Sequence, residues 1–143
     1  MEKIQQPYVA LQINEIYVAP NDTAKVLGVN LDSKLRMREH MQTVTRRATK
    51  QCVALGMLRG LPPVAMKQFY IATVASKMDY AASIWYKIQD RGQFAEKMLE
   101  GVQRLGARMV NGAFRTAARV ILEAEAGLFP ITIRLRLKIM RYT

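Results

Sequence analysis

Eleven Asp and Glu side chains are scattered through 143 residues, and none forms an Asp-Asp pair or the Glu-x-x-His spacing that metal or acid–base catalysis would need. His40 is the only histidine and Cys52 the only cysteine, so neither a multi-Cys zinc site nor an internal disulfide can form. His40 stands near the start of a basic segment with no nucleophile or carboxylate suggested beside it, which favours a structural or surface histidine over a general base. Cys52 falls beside an apolar stripe and reads as packing, although Lys50 nearby would make an exposed thiol more reactive. The glycines at 56, 60, 101, 106, 112 and 127 do not assemble into a phosphate-cradling loop. The sequence thus offers no catalytic constellation, no metal site and no cofactor site.

Its other chemistry is charge. Lys and Arg number 22, leaving +11 net. Residues 34–60 hold +6, from Lys34, Arg36, Arg38, Arg46, Arg47, Lys50 and Arg59 against Glu39, and Arg134, Arg136, Lys138 and Arg141 add +4 after Pro130. A localised basic stripe is the electrostatic footprint of a chain that lies against phosphates; the competing reading is that these cations merely solvate helix faces. At helical spacing Arg36, Thr43, Arg47 and Lys50 share one broad face with Arg46 at its margin, opposite Met41, Val44 and Ala48. Such a face can follow one backbone strand of a duplex, and Arg104 and Arg108, four residues apart farther along, extend it. No aromatic residues interleave with these cations, so phosphate contact is better supported than stacking on single strands. An anionic membrane surface is the weaker alternative, because the apolar stripes are better used in a core.

Half of the residues are apolar, which argues against disorder and for one domain with a core. Residues 8–31 read as extended: Tyr8–Ile13 and Ile16–Val18 flank a tight Asn14-Glu15 connection, and a third run, Lys25–Leu31, follows a polar loop at 20–23. From about Leu35 the period becomes helical, with Met37, Met41, Val44, Ala48, Leu55 and Leu58 forming a first helix stopped at Gly60. Pro63 opens a second helix through Met78, apolar on most of its circumference and so the expected centre of a bundle. A third helix spans about Gln93 to Val110, and Thr116 is placed to cap a fourth that ends at Gly127. The last segment is ambiguous. Ile131, Ile133, Leu135, Leu137 and Ile139 alternate with polar residues as a strand would, whereas a helix would show two apolar faces.

Several short motifs in order resemble the segment that follows the catalytic palm in reverse transcriptases of non-LTR, LINE-like retrotransposons. They are residues 24–32 (AKVLGVNLD) with Leu35 and His40, 78–85 (MDYAASIW), 102–108 (VQRLGAR), 112–116 (GAFRT), 123–128 (EAEAGL) and Pro130. The resemblance implies a palm-edge β element over residues 1–33 and a helical, thumb-like domain over 34–143. The fold class expected is therefore mainly α: two or three N-terminal strands, then a bundle of four to five helices. It also implies that the final segment continues helically after Pro130.

In that family the thumb holds the template–primer duplex and the palm does the chemistry. The Tyr/Phe-x-Asp-Asp signature is missing here, so the resemblance implies a catalytically inactive fragment that grips an RNA or DNA duplex, and the charge pattern nominates Arg36, Arg46, Arg47, Lys50, Arg104 and Arg108 as the residues that contact it. A second implied partner is a separate palm domain or another protein, met through Trp85, Tyr86 and the outer face of residues 8–31. The alternative is a co-opted or remnant protein-interaction module with no nucleic-acid role. Met1–Pro7 carries no leader pattern and no run is long enough to cross a bilayer, so an intracellular site, nuclear or cytoplasmic, is expected.

Overall fold

A computed structural model describes residues 11–58, 60–86 and 92–141. Residues 1–10, which include Met1–Pro7 and the start of the Tyr8–Ile13 run, and Arg59 lie outside the described residues. The chain is mainly helical, with small antiparallel strand pairs at its N-terminal end.

Strands β1 (Leu11–Ile13) and β2 (Ile16–Val18) pair antiparallel, with Leu11 opposite Val18 and Ile13 opposite Ile16. Asn14 and Glu15 both take positive φ, so the two-residue connection is of the type that matches strand twist. The run expected over Lys25–Leu31 is not one strand. It folds back at Leu27-Gly28 into a second hairpin, β3 (Thr23–Val26) against β4 (Val29–Asp32). Leu27 adopts φ 47°, which is strained for a residue with a Cβ, and the Tyr80 hydroxyl holds the turn by donating to the Leu27 carbonyl at 2.8 Å. The first hairpin is exposed on both faces, whereas β4 packs on the helices and contributes Val29 to their core.

Helix α1 (Arg38–Gly56) begins later than the periodicity suggests. The Asp32 carboxylate accepts the N–H groups of Arg36 (2.9 Å) and Met37 (2.7 Å), and these bonds hold it below the ordinary carboxylate value. Leu35 and Met37 are left-handed, so Leu35 and Arg36 belong to the entry loop. At the far end the helix stops at Gly56, short of Gly60. His40, Met41, Ala48, Cys52 and Leu55 form its buried stripe.

Pro63 opens α2 (Pro63–Tyr70), which continues through a π-helical turn, Ile71–Ala75, into α3 (Ser76–Met78). Thr73 and Ser76 hydroxyls donate back to the carbonyls of Phe69 (2.7 Å) and Ala72 (2.5 Å), a bonding pattern that loosens a helical ladder. Next come α4 (Ala82–Trp85) and α5 (Gly92–Asn111). Trp85 and Tyr86, expected as exposed apolar surface, are buried, 3% and 4% accessible. They meet edge to face, Trp85 Nε1 donates to the Tyr80 carbonyl at 2.7 Å, and the Tyr86 hydroxyl donates to Glu96.

Helix α5 crosses both α1 and α2. The Tyr70 ring presses one edge against it at Gly106, where a Cβ would fall well inside contact distance of the ring's Cε2. Gly106→Ala should therefore destabilise the chain by at least about 1–3 kcal/mol through overpacking. Gly101→Ala, on the same helix with open space at its Cβ, should instead stabilise by roughly 0.5–1 kcal/mol. Urea midpoints of the two variants check the pair.

Helix α6 (Arg119–Ala126) starts after Ala118, with no side-chain cap; Thr116 does not serve as one. Arg119 instead pairs with Glu100 of α5. Gly127 and Leu128 close the helix by donating to the carbonyls of Ala124 (3.0 Å) and Glu123 (2.8 Å). After Pro130 the chain forms α7 (Ile131–Met140), so the alternating segment is helical. Ile131 and Leu135 are buried and Ile139 half-buried, while Ile133, Leu137 and Met140 face solvent.

Four elements meet at a buried polar chain. Arg134 of α7 donates from Nε to Asp79 Oδ1 (2.9 Å) and from Nη1 to Gln103 Oε1 (2.6 Å). Gln103 of α5 donates from Nε2 to Glu123 of α6 (2.8 Å) and to the Phe129 carbonyl (2.9 Å). Burial pushes the Asp79 carboxyl above its ordinary value while the Arg134 guanidinium opposes the shift.

Candidate nucleic-acid interface

Helix geometry gathers Thr43, Arg46, Arg47 and Lys50 within about 100° of the α1 circumference, opposite the stripe that carries Ala48 and Cys52. Core burial of one side dictates this: with the apolar stripe fixed against α5, residues two and five positions away must point outward. Arg46, Arg47 and Lys50 are exposed, and neither of the two ion pairs among the described residues involves them. Three cations without a carboxylate partner on one face can neutralise successive phosphates of a strand.

Arg36 is exposed as well, but it sits in the entry loop beside Asp32 and not on the helix face that periodicity implies. The two arginines of α5 stand differently again. Arg104 Nη2 donates to the carbonyls of Arg115 and Ala117, each at 3.2 Å, so it fastens the loop before α6. Arg104, Arg108 and Arg115 surround a hollow of about 370 Å³ that also touches Gly101 and Leu105. None of the α1 cations lines it, and Arg115 is invisible to periodicity because it lies outside any helix. Arg134 is taken out of the basic tail altogether by Asp79.

Cys52 is fully buried, its Sγ faces the Val102 carbonyl at 3.8 Å, and desolvation pushes its thiol up to about 12. It is a packing residue, closed to solvent. His40 is buried too. Its Nδ1 accepts the Asn30 N–H at 3.3 Å and its ring lies 6.3 Å from that of Trp85, while Nε2 has no partner among the described residues. Burial, and then the positive field of Arg47, lower its pKa below the ordinary 6.5.

That shift has a fixed sign. Because the folded value is depressed, the unfolded chain takes up the proton first as pH falls, so the stability associated with neutral His40 is complete above about 6.5 and is lost as pH falls toward the folded pKa. A proton NMR titration of this single imidazole should give a midpoint below 6.5. A midpoint at or above that value would contradict the burial and the Arg47 proximity together.

Among the described residues no group of three or more His, Cys, Asp and Glu side chains is placed to hold a metal ion. Among them, too, no helix is long and apolar enough to cross a membrane. No protein family, curated protein or solved structure matches the chain.

Proposed function

We propose that the protein grips a nucleic-acid duplex through its phosphates, as the thumb-like, catalytically inactive part of a LINE-type reverse transcriptase. The observation that carries this reading is the face of α1 on which Arg46, Arg47 and Lys50 stand exposed, with no acid paired to them among the described residues. The ordered sequence motifs suggest the family; the charge suggests the ligand. Binding of this kind reads shape and charge, so affinity should vary little with base sequence and fall steeply as salt rises. Fluorescence anisotropy of labelled RNA, DNA and hybrid duplexes across a salt series tests it. Affinity indifferent to salt would overturn the reading.

A protein-contact role is favoured by one separate feature. Leu11, Ile13, Ile16, Tyr17 and Val18 are all exposed on the β1–β2 hairpin, with Tyr17 72% accessible. Exposed apolar residues clustered on one small hairpin are what a partner surface, such as a palm domain, would cover. Replacing Ile16 and Tyr17 with Ser and Thr should leave duplex affinity unchanged if the two surfaces are independent.

A further inference from the structure

Between the β3–β4 turn, α1 and α3 lies a hollow of about 430 Å³, whose walls include Gly28, His40, Arg47, Ser76, Lys77 and Tyr80. Among the described residues no carboxylate lines it, and two cations do. Several of its polar groups are already committed. Tyr80 donates its hydroxyl to the Leu27 carbonyl, Ser76 donates to Ala72, and the Lys77 ammonium rests against the Gln51 amide.

His40 is not committed on one side. Its residue is 2% accessible, and because Nδ1 accepts the Asn30 N–H, the neutral ring carries its hydrogen on Nε2. That buried N–H has no partner among the described residues. Leaving such a donor unsatisfied is costly, and because the nitrogen itself is closed to solvent, an acceptor in the hollow reaches it by a small shift of the surrounding wall. The donor set of one imidazole N–H, one guanidinium and one ammonium, without a competing carboxylate, selects an anion with several oxygens. The volume exceeds that of an inorganic anion and falls in the range of ligand pockets, and the Val44 side chain and Tyr80 ring supply an apolar wall for an attached sugar.

We propose that this hollow is a phosphate site, in which Arg47 and Lys77 balance the charge of a phosphate and the His40 Nε2–H, uncovered by a small shift of the wall, donates to one of its oxygens. The chemistry is that of a phosphate group; that it is carried by a bound strand rests on the nucleic-acid reading above. Arg47 then belongs both to the exposed α1 face and to the rim of the hollow, which places the site where a duplex backbone would pass.

His40 is the only histidine, so its imidazole resonances form a single unambiguous probe in the full chain. The chain is titrated at constant ionic strength with inorganic phosphate, with a dinucleoside monophosphate, and with the same dinucleotide bearing a 5′-phosphate, while duplex binding is followed separately by anisotropy. The expected result is a saturable shift of His40 with at least one phosphate probe, weakened about tenfold or more by Lys77→Gln, which removes one charge-assisted contact from an exposed side chain. Saturation by the dinucleoside monophosphate assigns a backbone phosphodiester as the source. Saturation only by the 5′-phosphate or inorganic phosphate assigns a terminal or free phosphate.

Duplex binding without any His40 shift would overturn the site and leave the nucleic-acid reading standing. A His40 shift that Lys77→Gln leaves equally strong would overturn the proposed donor set. A phosphate-induced shift without duplex binding would uphold the site and remove the strand as its source.

Discussion

Replacing Asp79 with Leu should destabilise the chain by about 3–5 kcal/mol, because it leaves the largely buried Arg134 guanidinium, 15% accessible, beside α5 with its charge uncompensated. An arginine cannot shed its proton to escape that cost. The converse variant behaves differently. Arg134→Met strands a carboxyl that is 5% accessible, but a carboxyl can neutralise itself, and burial already drives the Asp79 pKa upward. Without the guanidinium the folded value rises further above the unfolded one. Stability of Arg134→Met is then best retained at low pH, where both states are protonated, and is lost as pH rises from the ordinary value of 3.8 through the folded pKa.

Urea denaturation at pH 4 and pH 7 should therefore show a gap between Arg134→Met and the parent chain that widens with pH, and no such protonation escape for Asp79→Leu. The double variant should recover much of the loss, since two apolar side chains of similar volume replace a pair whose desolvation was costly. A domain of this size has roughly 5–15 kcal/mol to lose, so the single substitutions would show plainly in the midpoints. Additive single and double effects would mean that Asp79 and Arg134 do not act as a pair.

The same residue explains why the end of the chain is hard to read from sequence. Arg134 resembles the other polar positions of a period-two pattern, yet in α7 it is the inward side chain that reaches Asp79, while Ile131 and Leu135 form the buried stripe on the same side of the helix. Alternation arises because this inward cation stands where an apolar residue would have revealed the helical period, while Ile133 and Leu137 are apolar on the solvent side. The resemblance, which implies a helix after Pro130, carries information that periodicity lacks.

The long helices are legible because their apolar residues recur on one face, and the Asn14-Glu15 turn is legible from turn chemistry. The second hairpin is not, since a leucine at a left-handed turn position is tolerated only when something remote, here the Tyr80 hydroxyl, holds it. Trp85 and Tyr86 read as exposed for a similar reason: their burial by Tyr80, Glu96 and the packing of α7 on α4 depends on contacts far apart in sequence. At the candidate interface, helical spacing suffices to align Arg46, Arg47 and Lys50. It cannot show that Arg104 is spent on backbone carbonyls, that Arg36 sits outside the helix, or that Lys77 comes to His40 from another helix.

Reversing Arg47 and Lys50 together to Glu should weaken duplex binding on the order of a hundredfold at low salt, about one decade for each phosphate deprived of its cation. The weakening should be uniform across base sequences, because phosphate contacts position a protein without reading bases. It should also flatten the dependence of log affinity on log salt by about two units, one for each counterion no longer displaced. Both side chains are exposed and opposite the core, so the unfolding free energy from urea denaturation should change by less than about 0.5 kcal/mol. Arg104→Glu supplies the contrast. Its guanidinium ties down the 115 and 117 carbonyls, so its reversal should cost stability and leave a smaller mark on binding. If instead Arg104→Glu abolished binding in a chain that remained folded, while the α1 pair could be reversed freely, the duplex would lie along α5 and the hollow around Arg108 and Arg115. If none of the three reversals changed affinity, phosphate contact would not be what holds the ligand, and the apolar β1–β2 hairpin would become the surface through which this protein acts.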